Sequence, residues 1–199
     1  MDQAVPATAR AHHPIRLVVD DDLQRNRLTV FFRIILAIPH FVWLLLWGVV
    51  AVLAVIANWF ATLVKGESPG GLHNFLATYL RYQTHVWAYT LILADPYPGF
   101  GGKPGYPIDI EVDPPSRQNR WTVAFRIILA IPALIIARIM TNLSQILAVF
   151  NWVVSLVLGR LPEGMRNFGA FALRYEQQTT GYIYLLTDRY PSFNVSVSE

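Results

Sequence analysis

The sequence predicts a mainly α-helical integral membrane protein made of two tandem repeats of one module, and three observations carry that reading. Hydrophobic residues make up 54% of the 199 positions and charged residues only 15%, with a mean hydropathy of +0.37, outside the usual balance of a soluble domain. Residues 14–100 align without a gap on residues 107–193 at a constant offset of 93, with 35 of the 87 aligned pairs identical, far above the roughly one in fifteen that average usage gives. Each copy also holds an apolar run long enough to cross a bilayer. The expected organisation is a polar N-terminal tail (1–13), a first membrane module (14–100), a Gly/Pro linker (101–106), a second module (107–193) and a C-terminal strand or tail (194–199).

Each module is expected to hold a short strand, an interfacial helix and two transmembrane helices, or at the least one, with a small β element at the membrane surface. The strand is read from period-two alternation, Ile15-x-Leu17-x-Val19 and Ile108-x-Ile110-x-Val112. A third such stretch is Phe193-x-Val195-x-Val197. Asn26 and Asn119 are placed as helix N-caps. The helices they open run to Pro39 and Pro132, with Arg27, Arg33, Arg120 and Arg126 positioned to reach lipid headgroups.

From Pro39 to Leu63 there are 25 residues, about 37 Å of helix, enough for a tilted span. Counting from Leu28 gives about 54 Å, too long for one straight crossing, so the proline is expected to bend the chain from surface into membrane. Trp59 and Trp152 then fall near the far interface. Gly66 and Gly159 begin the turn to a second helix, at about 72–94 and 165–187. Along it Asn74, Thr78, Arg81, His85 and Tyr89 share a stripe that should face other helices.

Two spans per module give four, with both copies oriented alike. Ten basic residues then lie on the side of the termini and three on the other, which places the termini in the cytoplasm of a bacterial cell membrane. If the second helix does not cross, there are two spans and the copies are inverted.

Two polar sets stand out as candidate sites. The stretches 40–57 and 133–150 differ at all 18 aligned positions, and only the second carries Arg138, Asn142 and Gln145 on one helix face. That face is expected to contact a partner, another membrane protein or a second copy, or else to bond helices within the bundle. Arg81 and Arg174, repeats of one another, offer a possible lipid or anion contact, against the simpler reading that each bonds helix-end carbonyls or a nearby acid.

No catalytic residue and no cofactor are expected. The five histidines lack metal-ligand spacing, and no GxSxG, Walker or dinucleotide loop occurs. Dispersed arginines and a net charge of +3 argue for membrane lipids as partner and against nucleic acid. Cysteine is absent, which excludes disulfides and thiolate sites.

The repeated segments RLxxFFRxxLAIPH from Arg27, WFxxLxxG from Trp59, and the ending from Arg81 through Asp95, Tyr97, Pro98 and Phe100 resemble the bacterial membrane proteins of domain-of-unknown-function family 4389. The resemblance covers nearly all of the chain after the first dozen residues; the second copy departs from it at Ala133, where the pattern prefers His, and in its polar span. It implies a membrane class and compartment and assigns no catalytic residue. The expected role is therefore that of a non-enzymatic structural or accessory subunit of a membrane assembly, with a small carrier or lipid-binding protein as the alternative.

Overall fold

A computed structural model describes residues 13–193; the tail before residue 13 and the alternating stretch beyond Phe193 lie outside the described residues. In chain order the elements are β1 (Ile15–Val19), α1 (Arg27–Lys65), α2 (Gly70–Thr90), β2 (Ile108–Val112), α3 (Arg120–Ala124), α4 (Arg126–Leu158) and α5 (Glu163–Ile183).

The predicted caps form. The Asn26 side chain accepts hydrogen bonds from the Leu28 and Thr29 amides at 3.0 and 3.4 Å, and Asn119 accepts one from Trp121 at 2.9 Å. Gly66 and Gly159 close α1 and α4 in the left-handed conformation, φ 77° and 69°, where a Cβ is costly. The expected bend at proline does not divide the first helix: Pro39 lies inside the continuous 39-residue α1, and Pro132 inside α4. The second copy breaks instead at Phe125, between α3 and α4. One inward seam explains the continuity: Val30, Arg33, Ala37, His40, Ala51 and Asn58 are buried, and with the half-buried Leu44, Trp47 and Ala54 they repeat every three or four residues across the proline. A helix docked along its whole length loses one hydrogen bond at proline and continues.

The two copies are related by a pseudo-twofold axis. In the antiparallel β1–β2 ribbon Leu17 pairs with Ile110, its own repeat, while Ile15 pairs with Val112 and Val19 with Ile108. The bridges Gln24–Arg160 and Glu67–Arg117 exchange under the same offset of 93. So do two indole hydrogen bonds, Trp152 Nε1 to the Val30 carbonyl (3.1 Å) and Trp59 Nε1 to the Val123 carbonyl (2.9 Å). The start of α1 therefore lies against the end of α4, and the end of α1 against α3. The repeats run antiparallel, which replaces the four-span arrangement with like-oriented copies. Trp59 and Trp152 join the two copies through backbone bonds, a use for the indole N–H that competes with a place at a lipid interface.

Three neighbours meet α2 on three faces. Arg81 and His85 bond β2 residues, Tyr79 and Tyr82 bond α1 residues, and Leu80 lies 3.4 Å from where a Cβ on Gly181 of α5 would be. At 100° per residue these faces are well separated around the helix, so α2 is a middle element, as is α5 by symmetry. The ribbon packs on one side of the α2/α5 pair and the long helices α1 and α4 on the other. Two apolar clusters fill the layers, one around Leu17, Leu93, Ile108 and Leu173, the other around Ile15, Leu76, Leu80 and Ile110.

The linker is held to α2 through Gly102. Its φ is +58°, and a Cβ there would stand 2.7 Å from the Thr78 carbonyl oxygen and 3.1 Å from the Tyr82 Cβ. Gly102→Ala should therefore cost about 2 kcal/mol of stability, read as a lower denaturation midpoint in detergent, whereas Gly105→Ala, with nothing near its Cβ position, should lose less.

Candidate functional site

The long helices bury only a narrow stripe. Of their most apolar 18-residue windows, 11% is buried in α1 and 22% in α4, while large hydrophobic side chains from Leu28 to Val64 and from Trp121 to Leu158 are exposed around the rest of the circumference. Among the described residues only these two helices are long and apolar enough to cross a membrane, so of the two spans expected in each module only one qualifies. The second helices do not, because their sides are taken by polar contacts within the fold.

Those contacts centre on two buried arginines. Arg33 Nη1 donates to the Tyr89 and Ala94 carbonyls at 3.1 and 2.8 Å, Nη2 meets Asp95 at 2.8 Å, and the guanidinium lies 4.4 Å from the centre of the Tyr89 ring. Its repeat Arg126 donates to the Thr187 carbonyl (3.2 Å) and to Gln118, and stands 4.0 Å over Tyr182. Arg33 and Arg126 thus do not reach headgroups as expected. The backbone leaving α2 and α5 turns inside the molecule at the negative end of each helix dipole, and a planar cation with several donors suits the carbonyls that face it there. Asp95, in the repeated ending, is the partner of Arg33; the signal for it was the recurrence of Arg33/Asp95 as Arg126/Asp188 at the same offset.

The helix ends these arginines close are strained. Ile92 and Leu185, repeats of each other, have φ of 65° and 62°, where Gly is usual. The amides of Leu93 and Leu186 reach back to Ala88 and Gly181, at 2.8 and 3.0 Å, as in a Schellman end. Arg25 Nε and Gln118 Nε2 hold the Ile92 and Leu185 carbonyls from outside at 3.0 and 2.7 Å, which over-determines a conformation that costs of order 1–3 kcal/mol.

The other candidate residues are distributed as follows. Arg81 Nε donates to the Ile110 carbonyl at 3.1 Å and pairs with Asp109 at 3.2 Å. Arg174 is buried, with its guanidinium 5.4 Å from the Phe171 ring, and its Nε and Nη2 have no hydrogen-bond partner among the described residues. The cause is a broken symmetry: the repeat of Asp109 is Arg16, which is itself engaged by Glu111 and Asp113 at 3.1 Å each. Arg138, Asn142 and Gln145 are exposed on α4. Beside them Thr141 donates to Glu176 at 2.9 Å, a carboxyl pushed up by burial. Gln145 also lines a cavity of about 410 Å³ with Arg33, Trp87, Leu91, Val149 and Trp152, between the start of α1, the end of α2 and α4. Among the described residues no group of three His, Asp or Glu side chains is arranged to hold a metal.

A duplicated helical module with two long apolar helices and a small ribbon defines the class. The model of the domain of unknown function DUF4389 matches residues 27–101 and again 120–194, and the chain belongs to that family, carrying its domain twice. No curated protein and no solved structure matches the chain.

Two predictions follow from the polar contacts. Arg33→Met should lower stability by about 3–5 kcal/mol, since Asp95 and two helix-end carbonyls lose their partner, with Arg33→Lys recovering part of it; unfolding of both variants in detergent checks this. Burial holds the imidazoles of His13 and His73 below their ordinary value of 6.5. The unfolded chain therefore binds more protons as pH falls below that value, and stability should drop from pH 7 to pH 5. His73→Gln should flatten the slope. Asp109 is opposed by burial but held low by His85 and by the Gly105 and Ile110 amides, so its stabilisation is lost only as pH falls below its ordinary 3.8.

Proposed function

We propose that the chain is a non-enzymatic subunit of a membrane assembly in the bacterial cell membrane, and that the Arg138, Asn142 and Gln145 face docks another membrane protein or a second copy. The observation that carries this reading is the exposure of these three side chains in a helix whose other outward residues are apolar. The first copy has Leu45, Val49 and Val52 at the same places. A cation and two amides on a lipid-facing surface are costly unless something pairs with them, and amide contacts between helices are a common solution.

Converting the second copy to the first, with Arg138→Leu, Asn142→Val and Gln145→Val together, should leave the monomer folded and dissolve the assembly. In-membrane crosslinking followed by mass analysis in mild detergent reads this. An unchanged assembly size in the triple variant would remove the docking role.

A second reading, a small lipid-binding protein, draws support from the cavity of about 410 Å³. Its size and largely apolar lining suit an acyl chain, and it opens beside the apolar layer. A tryptophan substituted at Ala148, which lines it, should then lower the amount of lipid retained through delipidating purification.

A further inference from the structure

Given that the chain is embedded in a membrane, we propose that α1 and α4 lie in the plane of a single leaflet, with the pseudo-twofold axis along the membrane normal, and do not cross the bilayer. The partner of this surface is the acyl region of one leaflet, and the charged ribbon faces water on the opposite side of the molecule.

Symmetry makes the first argument. The contacts of Val30 with Trp152 and of Trp59 with Val123 exchange under the offset of 93, which puts the axis midway along α1, beside Leu44 and Leu45. The same axis passes through the ribbon at Leu17 and Ile110. Were the long helices to cross the bilayer, the axis would lie in the membrane plane, and the ribbon would sit at mid-depth. There Arg16, Glu111 and Asp113, with side chains 27%, 55% and 37% exposed, would meet hydrocarbon. Charges and an open ribbon edge at that depth have no water to satisfy them. With the axis along the normal, the same ribbon stands in solvent.

Length makes the second. Exposed apolar side chains run from Leu28 to Val64 with no polar break on the outer face, about 54 Å at 1.5 Å per residue. The hydrocarbon core is about 30 Å thick, so a crossing helix needs a tilt beyond the usual range of about 0–40° to cover that length. A helix lying in the plane covers all of it. The side chains beside the layer agree: Tyr97 and Phe100, against His40 of α1, and their repeats Tyr190 and Phe193, against Tyr182 and Tyr175 of α5, are all half-exposed, in the position of interfacial aromatics. Exposed Arg27, Lys65, Arg120 and Arg160 stand at the ends of the layer, where headgroups are within reach.

The native chain has no cysteine, so single substitutions in the full-length protein test the orientation. Asp22→Cys and Glu67→Cys mark opposite ends of α1, and Glu111→Cys marks the ribbon. In sealed phosphatidylethanolamine/phosphatidylglycerol vesicles to which the protein is added from one side, a membrane-impermeant maleimide on that side should label all three equally. Spin labels at Ile35, Val49 and Phe60, spaced along about 37 Å of the outer face, should report equal depth. A crossing helix gives labelling of Asp22→Cys and Glu67→Cys from opposite sides, with Val49 deepest, and overturns the proposal. Release of the chain by alkaline carbonate, with the spin labels shielded by a second copy, instead sinks the membrane reading on which it rests.

Discussion

The fold depends on how the second helix of each module ends. A helix C-terminus leaves four carbonyls without intrahelical partners, and α2 and α5 end inside the molecule, where Leu93 and Leu186 are buried and water cannot serve. One arginine from each long helix binds the chain where it leaves the second helix: Arg33 takes the Tyr89 carbonyl in the last turn of α2 and the Ala94 carbonyl beyond it, and Arg126 takes the Thr187 carbonyl beyond the end of α5. The same guanidinium fixes the register of long helix on second helix, because it also stacks on the ring of Tyr89 or Tyr182 in the last turn of that helix. An apolar seam alone permits sliding by a turn, whereas a buried cation has one place where its donors are met.

This explains why the sequence shows some features and hides others. The caps at Asn26 and Asn119, the turns at Gly66 and Gly159 and the strands β1 and β2 depend on residues close in sequence, and each appears where the local pattern puts it. The fate of Arg33 depends on carbonyls 56 and 61 residues away, and an arginine near the start of an apolar helix reads equally well as a headgroup anchor. Pro39 misleads for a related reason: locally it reads as a boundary between two helices, whereas the seam that docks α1 on both sides of it keeps one continuous helix. The inverted relation of the copies was not legible either, because an internal repeat fixes correspondence but not the direction of the axis that relates the copies.

Of the candidate sites, Arg81 and Arg174 show how identical residues acquire different surroundings. Position 81 finds Asp109 because β2 carries an acid where β1 carries Arg16. Asp109 and Glu111 fill the positions between the apolar residues of β2 as Arg16 does in β1, and the cross-strand pair Arg16–Glu111 follows from that alternation. What the alternation does not show is that the second arginine is thereby left buried without an acid among the described residues. The polar face of Arg138, Asn142 and Gln145 was legible as a difference between copies, and its exposure required the seam to be located first: those residues stand one position after Ala137, Thr141 and Ser144, about 100° around the helix from the inward stripe.

The complete divergence of residues 40–57 from 133–150 also has a local account. In the first copy His40 fills the seam, with Nδ1 2.7 Å from the Tyr82 hydroxyl and its ring 4.6 Å from Phe100. In the second copy the smaller Ala133 stands at that place, and the ring of Phe193, the repeat of Phe100, stacks directly on Tyr175 at 4.7 Å. Trp47, which stacks on Tyr82 at 5.4 Å, is matched by the slimmer Met140. The second helix keeps its tyrosine in both copies, and the long helix and closing loop trade volume around it. Close packing demands that the space be filled, but several combinations of side chains fill it. Outward from the seam the exposed positions of the long helices need only be apolar, so the two copies differ there while Arg33, Asn58 and their repeats, which answer to specific backbone groups, stay the same.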